Sequence, residues 1–257
     1  MRASSSRHNI ILNRFKRVPF IVFLKRFTPF LIFILILLIS FLVGLWNVRS
    51  FDFQSSNLVN ITQVELESYL SIYKGRNIFL LRPYDVRKTL IESDGYIKEV
   101  EIKKLIPSKL EITVQEYTPL YVGYSSDNCL LFAQTGEFIE EICTNCEKDC
   151  PAYAVDKELV FISSGSLLES GGKLIYFEEI YKVERILAEF KYKVITLDIT
   201  EGIATFNDIE NHSFVFDLST ELDTQLARMY LVGQKVDQDM IKFSSLDLRF
   251  ERPVMRF

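Results

Sequence analysis

Histidine is nearly absent: His8 and His212 are the only two in 257 residues. A Ser–His or Cys–His nucleophile beyond the N-terminal segment would therefore rest on His212 alone. Neither a Walker-type glycine loop nor an H-E-x-x-H pair occurs, which removes the common phosphate-binding and zinc-hydrolase frameworks. Acids are plentiful but scattered, as on solvated faces. The chain reads as non-enzymatic, with no catalytic residue, no resident metal and no cofactor expected. Internal repeats are also missing, which excludes a solenoid. One further absence is local: no acid precedes Asp52.

The bases in that acid-free region are Arg2, Arg7, Arg14, Lys16, Arg17, Lys25, Arg26 and Arg49. They leave residues 52–257 with 22 bases against 34 acids, so the composite charge of −4 hides a basic start and an acidic body. An acidic body is a poor nucleic-acid binder, and no nucleic-acid partner is expected. Residues 27–46 (FTPFLIFILILLISFLVGLW) contain no charge. As a helix they would reach ~30 Å, the thickness of a bilayer core. Pro29 falls in the first turn, where its missing N–H costs little. A signal peptide would have a shorter apolar core and a small-x-small cleavage site; neither is found, and the reading is an uncleaved transmembrane helix. With the basic residues 1–26 held in the cytoplasm, the bulk of the chain lies outside a cell (inner or plasma) membrane crossed once, and Trp46 marks the far interface.

The outer region divides in two. Over 51–117, Thr62-Gln63-Val64-Glu65 is a capping-box signature opening a short helix with Val64, Leu66, Tyr69 and Leu70. Pro83 suits the first position of a second helix bearing Val86 and Leu90 and stopping at Asp94-Gly95. Val100 and Ile102, then Leu110, Ile112 and Val114, alternate with polar residues around Ile106-Pro107-Ser108-Lys109, a hairpin with one wet face. The order is strand–helix–helix–strand–strand. Residues 118–257 form a β domain with packed helices: a hairpin over 129–132 and 138–142, a cysteine-bearing loop, and a strand at 158–162. A helix follows, carrying Tyr176, Ile180, Val183, Leu187 and Phe190 on one face. Strands at 194–199, 203–206 and 213–218 come next. A helix from about Thr220 shows Leu222, Leu226 and Met229, with Gly233 as C-cap. Strands at 243–250 and 253–257 close the domain. The fold class is α+β, with a mixed sheet.

Cys129, Cys143, Cys146 and Cys150 all fall in the outer region, where disulfides form readily. Four cysteines allow three pairings. Cys129 and Cys143 flank a hairpin at positions that could approach each other. Four thiolates for a structural metal, or a redox-active thiol, are the weaker alternatives, because the spacing is one irregular cluster rather than two knuckles.

This order resembles the FtsQ/DivIB family of bacterial cell-division proteins. Residues 70–81 (LSIYKGRNIFLL) are similar to the family's l-x-l-x-x-G-x-N-l-f-x-l stretch. Residues 96–119 (YIKEVEIKKLIPSKLEITVQEYTP) resemble its P-x-I-x-x-V-x-V-x-r-x-l-P-x-t-L-x-I-x-V-x-E-r-x-P. Gly136 sits where a D-x-x-G-x-v-f hairpin keeps its glycine, and residues 246–250 (LDLRF) look like a terminal I-D-L-R-y. Asp94-Gly95-Tyr96 departs from the pattern by lacking the proline, and the cysteine loop is not a family feature. The resemblance implies a POTRA-like βααββ domain and a bitopic scaffold of the divisome at the division septum. It also implies partners of the FtsB/DivIC and FtsL type, which are small bitopic coiled-coil proteins, among other divisome components. Binding would be by strand addition at Arg249, Phe250, Glu251, Val254, Met255, Arg256 and Phe257, an edge that Pro253 and Arg256 only partly blunt. Two rival readings are a POTRA-bearing envelope transport component, which would want more POTRA units or a following barrel, and a cysteine-loop metal or redox envelope protein.

Overall fold

The computed structural model describes the backbone of residues 20–42, 44–54, 58–125, 128–144, 149–167 and 172–257, and the side chains of these except 20–26, 42 and 144. The tail 1–19, with its five bases and His8, lies outside the described residues, as do Cys146 and the side chains of Lys25 and Arg26.

Helix α1 (Phe20–Leu42) has 23 residues and contains Pro29. The helix begins earlier than the uncharged run and ends before Trp46, because residues 44–46 form a turn closed by Leu45 N–H donating to the Ser40 carbonyl (3.3 Å). Its large described apolar side chains from Phe27 to Phe41 are exposed, Phe30 and Phe33 each at 59%. Among the described residues no helix is long and apolar enough to cross a membrane.

The first unit is built from β1 (Ser50–Phe53), α2 (Gln63–Tyr69), α3 (Pro83–Ser93), β2 (Ile97–Leu105) and β3 (Lys109–Glu116). Its sheet runs β1-β3-β2, with β1 parallel to β3 and β2 antiparallel to it. Local sequence explains the helix starts. Thr62 and Glu65 form both halves of a capping box, and Pro83 sits at the start of α3, where no N–H is needed. Leu66, Leu70, Val86 and Leu90 join Val100, Leu110, Ile112 and Val114 in one core. Val64 does not; it is exposed, because it lies on the opposite side of α2 from Leu66.

The second unit is a nine-stranded mixed sheet. Its strands are β4 (Pro119–Ser125), β5 (Asn128–Ala133), β6 (Phe138–Thr144), β7 (Val160–Ser164), β8 (Val194–Thr200), β9 (Ile203–Asp208), β10 (Ser213–Asp217), β11 (Ser245–Asp247) and β12 (Val254–Arg256). Across the sheet the order is β12-β11-β10-β9-β8-β7-β4-β5-β6. The pairs β4·β7, β7·β8 and β10·β11 are parallel. Helices α5 (Phe177–Glu189) and α6 (Leu222–Asp239) bury Ile180, Val183, Leu187, Met229 and Val236 in the main core, with Tyr121, Phe132, Phe206, Phe214 and Phe216 from the sheet. The opposite face near β4–β6 is covered by α4 (Asp149–Asp156), with Val122, Leu131, Ile139 and Ala154 in a smaller cluster.

Four expectations for this unit need correction. Strand β4 went unread because four of its seven residues are buried, three of them consecutive, so its sequence does not alternate. The cysteine loop ends in a helix, α4, and the following strand starts at Val160 because Glu158 takes a positive φ of 56°. Gly233 lies inside α6 rather than capping it. A Cβ there would stand 2.8 Å from the Phe190 ring, so the glycine admits that ring against the helix, and the turn to the left-handed conformation comes at Met240. The strand expected at 243–250 narrows to three residues, since Arg249 and Phe250 lie in a bend.

Candidate partner-binding edge

Strand β12 ends the sheet. Its inner side pairs antiparallel with β11, Val254 opposite Asp247 and Arg256 opposite Ser245, and no described strand pairs with its outer side. Met255 packs partly against the main core and holds the strand to the domain. Val254, Arg256 and Phe257 are exposed, Phe257 at 86%. Arg256 carbonyl oxygen accepts from the Ser244 N–H (2.8 Å) and hydroxyl (3.2 Å), which fixes one end of the strand.

The other expected site residues lie in the β11–β12 connection. Phe250 is exposed at 52%, Glu251 is exposed, and Arg249 is committed locally. Its guanidinium donates to both carboxylate oxygens of Asp247 (Nε to Oδ1, 3.0 Å; Nη2 to Oδ2, 2.7 Å) and lies over the Phe250 ring. Partial burial opposes ionisation of Asp247, but the paired Arg249 outweighs it and holds the carboxyl below its ordinary value; the same bond holds the Arg249 guanidinium above its own. Arg228 on α6 donates to the carbonyls of Leu248 (3.3 Å) and Phe250 (3.0 Å), so the bend is tied to a helix rather than left loose. The structure thus groups the four β12-side residues Val254–Phe257 along one edge and sets Phe250 and Glu251 beside it, with Arg249 turned to its own chain.

The opposite edge, β6, is obstructed. A Cβ built on Gly95 would overlap the backbone carbonyl of Ile139, so the segment between α3 and β2 of the first unit lies directly on the strand. Tyr96 donates to Glu140 Oε1 at 2.6 Å, and burial followed by that carboxylate drives the Tyr96 hydroxyl pKa far upward. Near the start of β6, Phe138 N–H donates to the Gly172 carbonyl (2.8 Å).

The cysteines pair across the sheet's second face. Cys129 on β5 is bonded to Cys150 on α4, with Cα atoms 5.7 Å apart. Cys143 faces Cys129 in the β5·β6 register but is not its partner; it is itself disulfide-bonded. Among the described residues no group of three or more His, Cys, Asp or Glu is placed to hold a metal ion. His212 serves the β9–β10 turn: its Nδ1 lies 2.8 Å from Asp208 Oδ2, while Asp208 Oδ1 accepts the N–H groups of Glu210 and His212.

Two acids with structural roles went unread in the sequence. Glu116, at the end of β3, accepts backbone N–H groups from Val59, Asn60 and Ile61, tying the loop before α2 to the sheet. Glu184 on α5 accepts the Tyr121 hydroxyl, while its second oxygen is buried with no partner among the described residues. Burial, opposed only by that hydrogen bond, pushes the Glu184 carboxyl up to about 7. A charged residue in an otherwise apolar helix stripe is the only sequence signal for it.

The fold defines the class first: a POTRA unit followed by a large mixed sheet. Residues 51–117 match the profile of the POTRA domain, FtsQ-type. The cell division protein DivIB of Clostridium botulinum (strain Loch Maree / Type A3) is 28% identical over 123 residues, covering 46% of this chain and 46% of the relative. DivIB of strain Hall is 27% identical over 123 residues with the same coverage. The matched region spans about half the length of these relatives. These matches support the FtsQ/DivIB family of cell-division proteins.

Proposed function

We propose that this chain is a bitopic scaffold of the division septum that binds small coiled-coil partners of the FtsB/DivIC and FtsL type by adding a partner strand to β12. The observation that carries the reading is the asymmetry of the sheet: β6 is obstructed by residues 95 and 96, while the outer side of β12 meets no described strand. An unpaired edge offers N–H and C=O groups that a partner backbone satisfies, and the neighbouring apolar side chains Val254, Phe250 and Phe257 supply selectivity. Three residues make a short ladder, so the affinity comes in good part from these side chains.

Anchoring is the second part of the proposal. The backbone of α1 runs 23 residues, about 34 Å at ~1.5 Å per residue, and its described large apolar side chains from Phe30 to Phe41 are exposed. A bilayer provides that cover, with the basic N-terminal segment on the cytoplasmic side.

A tagged copy should concentrate at midcell and co-purify with a short bitopic coiled-coil protein. Deleting residues 250–257 should abolish co-purification while the POTRA unit keeps its hydrogen-exchange protection. Peripheral localisation at all cell stages, or full retention of the partner after the deletion, would count decisively against strand addition at β12.

A further inference from the structure

We infer that the POTRA unit rests on an anionic bilayer surface through the loop 76–82, with Phe79 and Leu80 inserted at the interface and Arg49, Arg76 and Arg82 on lipid phosphates. The inference rests on the anchoring through α1 proposed above and goes beyond it, since an anchor alone leaves the outer domain free to stand away from the membrane.

The geometry begins where the chain leaves α1. Trp46 Nε1 donates to Ser40 Oγ (3.0 Å), folding the exit back onto the last helical turns. The exit segment is then clipped to the loop by backbone hydrogen bonds. Ile78 N–H donates to the Trp46 carbonyl (2.8 Å), Val48 N–H to Arg76 (2.9 Å), and Gly75 N–H to Val48 (2.9 Å). Asn47 and Asn77 form an isolated bridge. The loop therefore cannot drift from the helix end; it lies one peptide layer from it.

The loop's side chains are distributed in a way that water alone does not explain. Ile78 and Leu81 are buried in the POTRA core, but Phe79 and Leu80 between them are exposed at 52% and 76%. Phe79 is held out by an Asx turn, its N–H donating to Asn77 Oδ1 (2.9 Å), and its ring lies 5.1 Å from that of Trp46. Trp46, Phe79, Leu80 and the exposed Leu45 thus continue the apolar surface of α1 onto the domain. An indole ring at such a junction favours the headgroup level of a bilayer, and the phenyl ring beside it adds apolar surface for the acyl boundary. Arg76 and Arg82 in the loop and Arg49 in the exit segment are exposed and form no ion pair among the described residues, Arg76 lying over the Tyr73 ring (5.3 Å), whereas Lys74 is engaged by Glu67. Apolar tip and guanidinium groups with no paired acid among the described residues together match an anionic lipid surface, for which juxtamembrane cations have a general affinity.

The test uses the full chain in vesicles of phosphatidylcholine with phosphatidylglycerol, and in phosphatidylcholine alone. The single tryptophan reports the anchor through quenching by brominated acyl chains. A nitroxide on Leu80→Cys, attached without reductant so that the disulfides survive, reports the loop, and one on Val155→Cys, an exposed β-domain site, is the control. The expected result is a quenched Trp46, together with a several-fold higher ratio of oxygen to nickel-chelate collision at position 80 than at 155. The triple change Arg49→Gln, Arg76→Gln, Arg82→Gln should remove the part of that ratio that depends on phosphatidylglycerol. A quenched Trp46 with a fully aqueous label at 80 overturns the docking, keeps the anchor and leaves the tip to a protein partner. An unquenched Trp46 overturns the anchor, and the docking with it.

Discussion

Replacing Cys129 and Cys150 by alanine should release α4 without unfolding the sheet that carries the candidate site. The disulfide closes a loop of sequence separation 21, and removing a cross-link over that span costs about 3 kcal/mol through the unfolded state. Against this, α4 has little of its own. It is eight residues long, well below the length at which a helix holds in water. Only Cys150 and Ala154 are fully buried, with Tyr153 partly so. That burial is worth about 1–2 kcal/mol at the usual rate per area. The bond is therefore the larger part of the helix's attachment, and its loss should appear as local opening. The main core lies on the other face of the sheet and touches neither cysteine. Hydrogen exchange with mass spectrometry on the double variant should show residues 149–156 unprotected and β6 weakened, with β8–β10 and α5 unchanged. Retained protection of α4 would refute the claim that the bond dominates, and equal loss across β8–β10 would refute the independence of the two faces.

Three further outcomes follow from individual contacts. A carboxyl whose folded pKa is raised to about 7 from 4.5 binds a proton that the unfolded chain releases, so the stability it contributes at low pH is lost as pH climbs between those values. That loss is about 3 kcal/mol, and Glu184→Gln should remove this part of the pH slope, leaving the variant more stable than the native chain at pH above 7 in denaturant titrations. Glu116→Ala removes the charged acceptor shared by three N–H groups of the loop before α2, one of them part-buried, and should destabilise the POTRA unit by about 1–3 kcal/mol; unchanged exchange at residues 59–66 would refute that role. Gly95→Ala places a methyl group on the Ile139 carbonyl, a backbone atom that cannot rotate away, and should break the Tyr96–Glu140 bond. The readout is a longer spin-label distance between the two units, and an unaltered distance would show that the seam is not tight.

What could be read from the sequence was whatever the chain decides locally. Thr62 with Glu65, Pro83 at the helix start and the period-two hairpin of β2 and β3 depend on neighbours a few residues away, and they appear where expected. The misreadings at β4, Gly233 and Cys143 involve residues whose role is set across the fold. Tyr121, Val122 and Gly123 lie between two covered faces, so their pattern carries no period. Gly233 looks like a helix stop, yet the ring of Phe190 is what excludes a side chain there. Cys143 stands opposite Cys129 in register, but Cys150, on a short helix 21 residues along the chain from Cys129, supplies the bond instead.

The most instructive case is Asp94-Gly95-Tyr96, which departs from the proline of the resembling family. By itself that departure reads as divergence. In the fold, Gly95 meets the Ile139 carbonyl at a distance that any Cβ, a proline ring included, would violate, and Tyr96 follows with its bond to Glu140. This small substitution therefore lets the POTRA unit lie against β6. A sheet with two open edges offers two places for a partner strand and two for self-association. With β6 obstructed, β12 is the edge left open among the described strands, so the departure at one end of the sheet and the edge proposed for strand addition at the other belong to one arrangement.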